Sequence, residues 1–221
     1  MAYYRASNEK GEFQKLANTV SNIILALSVP ACVGMFMLSR EIILIFSGAE
    51  FLDAIPAMRF MCVDLLFSSL NGFLAWQILA PCNKEKWLFF ATIMGAFVDF
   101  VLNMALIPSF GTSGAAAATV LAEMVVLLLC SLAGREFISL RGVWKYLWQY
   151  LLASLPIIPI CYLTQRYVQG SLAVTGISVV LSVIAYAGML ILLNNPYART
   201  YIQEFFRLLH LHKGEKRHGK D

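Results

Sequence analysis

The stretch ALIPSFGTSGAAAATVLAE, Ala105 to Glu123, decides the fold. One apolar run ends at Pro108, the chain turns through Gly111 and Gly114, and a second run opens on a block of alanines. A proline disfavours further helix and glycines relax the backbone. The stretch therefore predicts one helix closing at Pro108, a turn over Ser109–Gly111, and a second helix starting at Gly114. Gly114 with Ala118, and Ala115 with Thr119, give the four-residue spacing of small residues that lets helices approach closely in lipid. A carboxylate, Glu123, stands inside the second run and needs an account.

Working outward, the same kind of run recurs. The chain has 221 residues, is 59% hydrophobic and only 14% charged, with a mean hydropathy of +0.70. Soluble domains are about a quarter charged, so this is membrane composition. Apolar runs fall roughly at 19–38, 56–80, 87–107, 113–133, 147–167 and 172–193, each near the ~20 residues that cross a bilayer. The expected fold is an all-α integral membrane protein of about six transmembrane helices. Its expected parts are a cytoplasmic lead (1–18), a four-helix unit (19–134), a cytoplasmic loop (135–146), a terminal helix pair (147–193), and an amphipathic segment with a basic tail (194–221). With the N-terminus placed in the cytoplasm, all of the 17 lysines and arginines except Arg40, Arg59 and Arg166 fall on the inner side. The positive-inside rule then puts both termini in the cytoplasm. The net charge of +4 reflects that asymmetry and carries no sign of nucleic acid.

Pro30 in the first run favours a kink, and Pro156 and Pro159 should bend the fifth. The segment 40–54 reads as an interfacial helix broken at Gly48, with Asp53 as N-cap of the second span and Pro56 in its first turn. NKEK, 83–86, is a short inner turn between the second and third spans. The five cysteines are scattered singly, so neither a disulfide framework nor a zinc site is expected. His210, His212 and His218 all lie in the tail without a carboxylate or thiolate framework, and no metal or cofactor is expected. No cleavable signal follows the polar lead MAYYRASNEKGEFQK.

Acids at membrane depth cost about 2.5–3.5 kcal/mol on insertion scales. Asp64, Ser68 and Asn71 share one face of the second span at 100° per residue. Arg59 points about 140° away from Asp64 by that arithmetic, and so is expected to snorkel outward. Asp99 and Asn103 are one turn apart in the third span, and Thr119 and Glu123 in the fourth. These groups either satisfy one another in a packed bundle or line one water-accessible cavity, and three acids on three neighbouring helices favour the cavity. No Ser-His-Asp set, metal-ligand cluster or phosphate loop is present, so an enzyme is not expected.

Three stretches resemble a known family. LSVPACVGMFMLSREIILIFSGAEFLDAIPAMRFM is similar to the proline helix, "llfG-ef-A" loop and following helix of polysaccharide flippases, ILAPCNKEKW to their short inner turn, and LNMALIPSFGTSGAAAATVLAE to their "LN–LIP–G–GAA–AT" signature. The resemblance covers most of 3–123. It is to the C-terminal part of an oligosaccharide flippase of O-antigen type, in the multidrug/oligosaccharidyl-lipid/polysaccharide exporter superfamily that also holds multidrug and toxin extrusion transporters. It implies part of a two-lobe transporter that moves a lipid-linked oligosaccharide across the bacterial cytoplasmic membrane by alternating access. The partners implied are that substrate, membrane lipids, and an N-terminal lobe absent here, on the same polypeptide or a partner chain. Met1 would then be an internal methionine or the start of a split or truncated gene product. Members that carry lipid pyrophosphates are expected to have a cationic cavity, whereas the polar faces here are acidic. Asp64, Asp99 and Glu123 would suit coupling to H+ or Na+, with Ser68, Asn71, Asn103 and Thr119 as polar lining. Two other readings stand beside this one: a drug or small-cation antiporter of the same fold, and a non-transporting scaffold subunit of a polysaccharide assembly complex.

Overall fold

The computed structural model describes residues 10–137 and 140–195, and every regular element among them is helical. In chain order these are α1 (Lys10–Met37), α2 (Ser39–Phe46), a 3-10 turn (Ala49–Ala54), α3 (Ile55–Phe73) running on into a π turn (Leu74–Leu79), α4 (Glu85–Gly134), α5 (Leu140–Ser154), α6 (Ile157–Tyr167) and α7 (Ser171–Leu192). Four segments among the described residues are long and apolar enough to cross a membrane: 11–37, 85–134, 146–167 and 171–192.

α4 holds the deciding stretch. At 50 residues a straight helix would be about 75 Å long, more than twice the hydrocarbon thickness. It is not straight, because Gly111 takes φ 56° and ψ −134°, a conformation open in practice only to glycine. The two arms fold back on each other. Leu106 packs on Gly114, Asp99 meets Thr119 and Gly95 meets Val126, pairs that straddle Gly111 at growing distance. The expected turn over Ser109–Gly111 is thus sharper than the sequence implies, and Pro108 lies within the helix instead of closing it. One glycine reverses the chain. A Cβ on Gly114 would stand 2.5 Å from the Leu106 carbonyl oxygen, so the small residue there is a steric requirement. Ala116, Ala118 and Ala122 are buried along the same arm, and Ala115 is half-buried.

α1 holds the rest together. Its first turns enter a core with Phe73, Ile78, Leu79 and Cys130. Its middle, Leu25 and Val29, packs on Tyr150, Ala153 and Leu190. Its far end abuts Leu38, Ile157, Cys161 and Val174. α1 remains one helix through Pro30. Interhelical hydrogen bonds add to this packing: Tyr186 Oη donates to the Ala26 carbonyl at 2.8 Å, and Asn195 Nδ2 to Gln149 Oε1 at 2.7 Å. The polarity of α7 is inverted relative to a soluble helix. Ser178 and Ser182 face the protein while Val180, Val183 and Ile184 are exposed, as a lipid-facing helix demands.

Other local expectations change. Asp53 is exposed inside the 3-10 turn, and the N-cap position of α3 falls on Ala54 without a side-chain cap. The chain enters α3 already helical, so Asp53 lacks the extended backbone that a capping residue uses. Pro56 does lie at the start of α3. The break at Gly48 is present, with φ 91°. Helix α5 begins at Leu140, within the loop expected at 135–146. Pro156 breaks the fifth run into two helices instead of bending one. The amphipathic segment and basic tail from 196 onward, the histidines included, lie outside the described residues, as does the lead up to 9.

Candidate functional site

The polar residues of α3 and α4 meet because two antiparallel interfaces bring them together. α3 packs against α4, and the arms of α4 pack on each other. Between them lies a groove of about 840 Å³, lined by Ser68 and Asn71 of α3, Asp99 on the first arm of α4, and Thr119 and Glu123 on the second. Asn71 Nδ2 donates to the main-chain carbonyl of Glu123 at 2.9 Å and to its carboxylate. Asn103 Nδ2 donates to Asp99 Oδ2 at 3.0 Å, and the Thr119 hydroxyl lies 3.4 Å from Asp99 Oδ1 and 3.3 Å from the Ala115 carbonyl. Asp99 is therefore held from two sides, by Asn103 and Thr119, and Glu123 is held by Asn71.

Of the residues singled out from sequence, Ser68, Asn71, Asp99, Thr119 and Glu123 line one space. Asp64 and Asn103 stand behind it. Asp64 is buried on α3, close enough to Glu123 for the two to interact electrostatically, and its Oδ1 has no partner among the described residues. Asn103 touches Asp99, and its own Oδ1 is likewise unpartnered. Arg59 turns away from Asp64, as its angular position predicts: its Nε donates to Ser39 Oγ at 3.3 Å and its guanidinium stacks on Phe36 at 5.2 Å. Among the described residues no group of three metal-ligating side chains occurs.

Three features escaped the sequence reading. Trp76 and Phe89 stand at the groove's end near the Asn83 turn, with Glu85 beside them. Trp76 is five residues beyond Asn71, off its face in an α-helix. The π turn widens the spiral to i→i+5 bonding, shown by Ala80 N to Ala75 O at 2.9 Å, and Trp76 comes round to the groove. Pro81 supplies a local cause, since its ring would clash with the Gln77 carbonyl in a continuing α-helix. The third feature is Glu41, a buried acid remote from the groove. It accepts from Gln165 Nε2 at 3.0 Å while the same amide donates to the Met37 carbonyl at 2.8 Å, and Arg40 lies 3.7 Å away.

The profile of the family described as lipid II flippase MurJ matches residues 1–184. The chain belongs to the MurJ family. Its fold agrees: a solved structure described as lipid II flippase MurJ, inward closed conformation, superposes with a TM-score of 0.72 at 18% identity, over 91% of this chain and 42% of that one. A protein of Haloferax volcanii described as a probable low-salt glycan biosynthesis flippase, Agl15, is 26% identical over 91% of this chain and 43% of its own length. Lipid II flippase MurJ of Bacillus subtilis is 33% identical over half of this chain and 21% of its own length. The chain thus spans less than half the length of the curated relatives it matches. The resemblance to lipid-linked glycan flippases holds at that level. The O-antigen subtype is replaced by MurJ, whose profile covers most of the chain.

Proposed function

We propose that this chain is the C-terminal part of a flippase that carries a lipid-linked glycan precursor across the cytoplasmic membrane by alternating access. The observation that carries the reading is the groove itself. A chain of the MurJ family places five polar residues of α3 and α4 around one space inside an apolar bundle, where such residues are costly unless used. Transport, not catalysis, is the role proposed, and the glycan is left at the level of its lipid linkage.

The acids give the cycle its drive in this reading. Asp64, Asp99 and Glu123 respond to H+ or Na+, and neutralising them shifts the balance between two conformations. Both termini and the Asn83 turn face the cytoplasm, in keeping with Lys84 and Lys86 at that turn. The remaining lobe comes from the same polypeptide or from a partner chain.

The test is translocation of a fluorescent lipid-linked oligosaccharide by the full-length transporter in proteoliposomes, across pH and Na+ concentration. Asp99→Asn and Glu123→Gln are each expected to slow transport by roughly tenfold, the scale of a typical coupling energy. Wild-type rate and unchanged pH and Na+ dependence in Asp64→Asn, Asp99→Asn and Glu123→Gln alike would overturn the coupling role.

A further inference from the structure

Pro30 leaves α1 with a gap in its own hydrogen bonding. In an α-helix the carbonyl of residue 26 accepts from the N–H of residue 30, and a proline there has none to give. α1 nevertheless continues as one helix to Met37. Inside a membrane no water replaces the lost donor, so a neighbouring group has to supply one.

The donor is on α7. Tyr186 Oη donates to the Ala26 carbonyl at 2.8 Å, the same carbonyl whose helical donor Pro30 removes. The hydroxyl stands in for the missing N–H. The two residues are 160 positions apart in the chain, so helix packing and not local geometry brings them together. The far end of α1 is served in the same way. Met37 is its last residue, where helix carbonyls run out of main-chain donors, and Gln165 Nε2 of α6 donates to the Met37 carbonyl at 2.8 Å. Tyr150 of α5 gives the contrast. Its hydroxyl lies 3.4 Å from the side-chain oxygen of Asn22, one turn before Ala26, where no proline follows four residues on.

The position of the gap gives it consequence. Leu25 and Val29 share a core with Tyr186 and Leu190 of α7 and with Leu66 and Leu70 of α3. Leu66 and Leu70 flank Ser68, which lines the groove. Beyond Pro30, Val33 and Met37 pack into a different core with Ile157, Cys161 and Val174. The proline thus falls between two packing units, and any yielding of α1 there displaces one against the other.

We propose that Pro30 and Tyr186 form a latched hinge. The tyrosine keeps α1 continuous across its weak point, and withdrawal of the hydroxyl lets the segment beyond Pro30 swing against the segment before it. The terminal helix α7 is then a brake on α1, and through Leu66 and Leu70 on the helix that carries one wall of the groove. The hinge goes beyond the transport reading and does not depend on what the groove carries.

A double-mutant cycle tests it. Tyr186→Phe removes the hydroxyl and keeps the ring, whereas Pro30→Ala restores the N–H and makes the hydroxyl redundant. Amide hydrogen exchange of the full-length transporter in lipid nanodiscs, read by mass spectrometry, follows α1 on both sides of the proline. Tyr186→Phe is expected to speed exchange about three- to tenfold over 27–36, the effect of one lost hydrogen bond, and to leave 11–20 unchanged. In the Pro30→Ala background the same substitution should change nothing over 27–36. Tyr150→Phe is the comparison, since its effect should be the same with either residue at 30. Pro30→Ala should also slow translocation of a lipid-linked oligosaccharide severalfold, because it stiffens the hinge.

Exchange unaltered by Tyr186→Phe, or accelerated equally whether residue 30 is proline or alanine, overturns the latch. Translocation as fast in Pro30→Ala as in the parent protein overturns the hinge. Should Pro30→Ala misassemble, judged by elution profile, Pro30→Leu restores the same N–H and completes the cycle. A parent protein that moves no lipid-linked glycan contradicts the flippase reading alone, because the exchange comparison decides the latch without transport.

Discussion

Asn71 commits its amide nitrogen twice to one residue, bonding both the carboxylate and the main-chain carbonyl of Glu123. Asn71→Leu removes the donor and leaves acceptors in a poorly hydrated place, so it should destabilise the protein by about 1–3 kcal/mol. Asn71→Asp should cost more, because it sets a second carboxylate against Glu123. Thermal unfolding in detergent reads both, and equal midpoints for the two variants would contradict the arrangement. Gln165 bears on Glu41 in the same way, and Gln165→Leu alone should cost about 1–3 kcal/mol. The double variant Glu41→Met, Gln165→Leu should recover only part of that loss, since it removes the Glu41 acceptor but leaves the Met37 carbonyl without its Gln165 donor. At this scale the sequence is legible wherever α-helical arithmetic holds: Ser68 with Asn71 and Thr119 with Glu123 do share faces. It fails for Trp76, whose position depends on a π turn, and for Glu41, buried by a helix that arrives more than a hundred residues later in the chain.

Among the elements, the α4 hairpin is the most demanding. Gly114→Leu drives a side chain into the Leu106 backbone, which cannot step aside, so a loss of about 1–3 kcal/mol is expected from overpacking. Gly95→Ala should be milder, because the atom it meets is a methyl of Val126 that can rotate. Gly111→Ala should cost about 1–3 kcal/mol for a different reason, backbone strain in open space. Comparing the thermal midpoints of the three separates steric from conformational cost, and Gly95→Ala falling below Gly114→Leu would refute the assignment. The existence of two antiparallel arms was legible in the small residues and the turn chemistry of 105–123. So was the turn over Ser109–Gly111, where the chain does reverse. What the sequence did not show is that Pro108 stays inside the first arm, although a proline there forfeits one helical hydrogen bond. Pro156, in the middle of a membrane-length run, does break its helix.

Across the whole molecule, α1 contributes to each of three cores in succession, so the terminal helices and the groove-forming hairpin share one support. The apolar runs of the sequence predicted this bundle's membership, but the packing order rests on contacts between residues far apart in the chain. In the source membranes, an antibody to 210–221 should detect a species about twice the 24.6 kDa of this chain, if it is joined to the rest of a two-lobe transporter. A species at 24.6 kDa would require a partner carrying the other lobe, or would favour the scaffold reading. The single-residue reversal at Gly111 also bears on what this protein shows to the far side of the membrane. Two membrane-length arms joined only by the exposed turn at 109–112 leave very little chain projecting there. A protease added from the far side should find nothing to cut there, and a glycosylation tag inserted at Gly111 should go unmodified until a spacer of several polar residues is built in beside it.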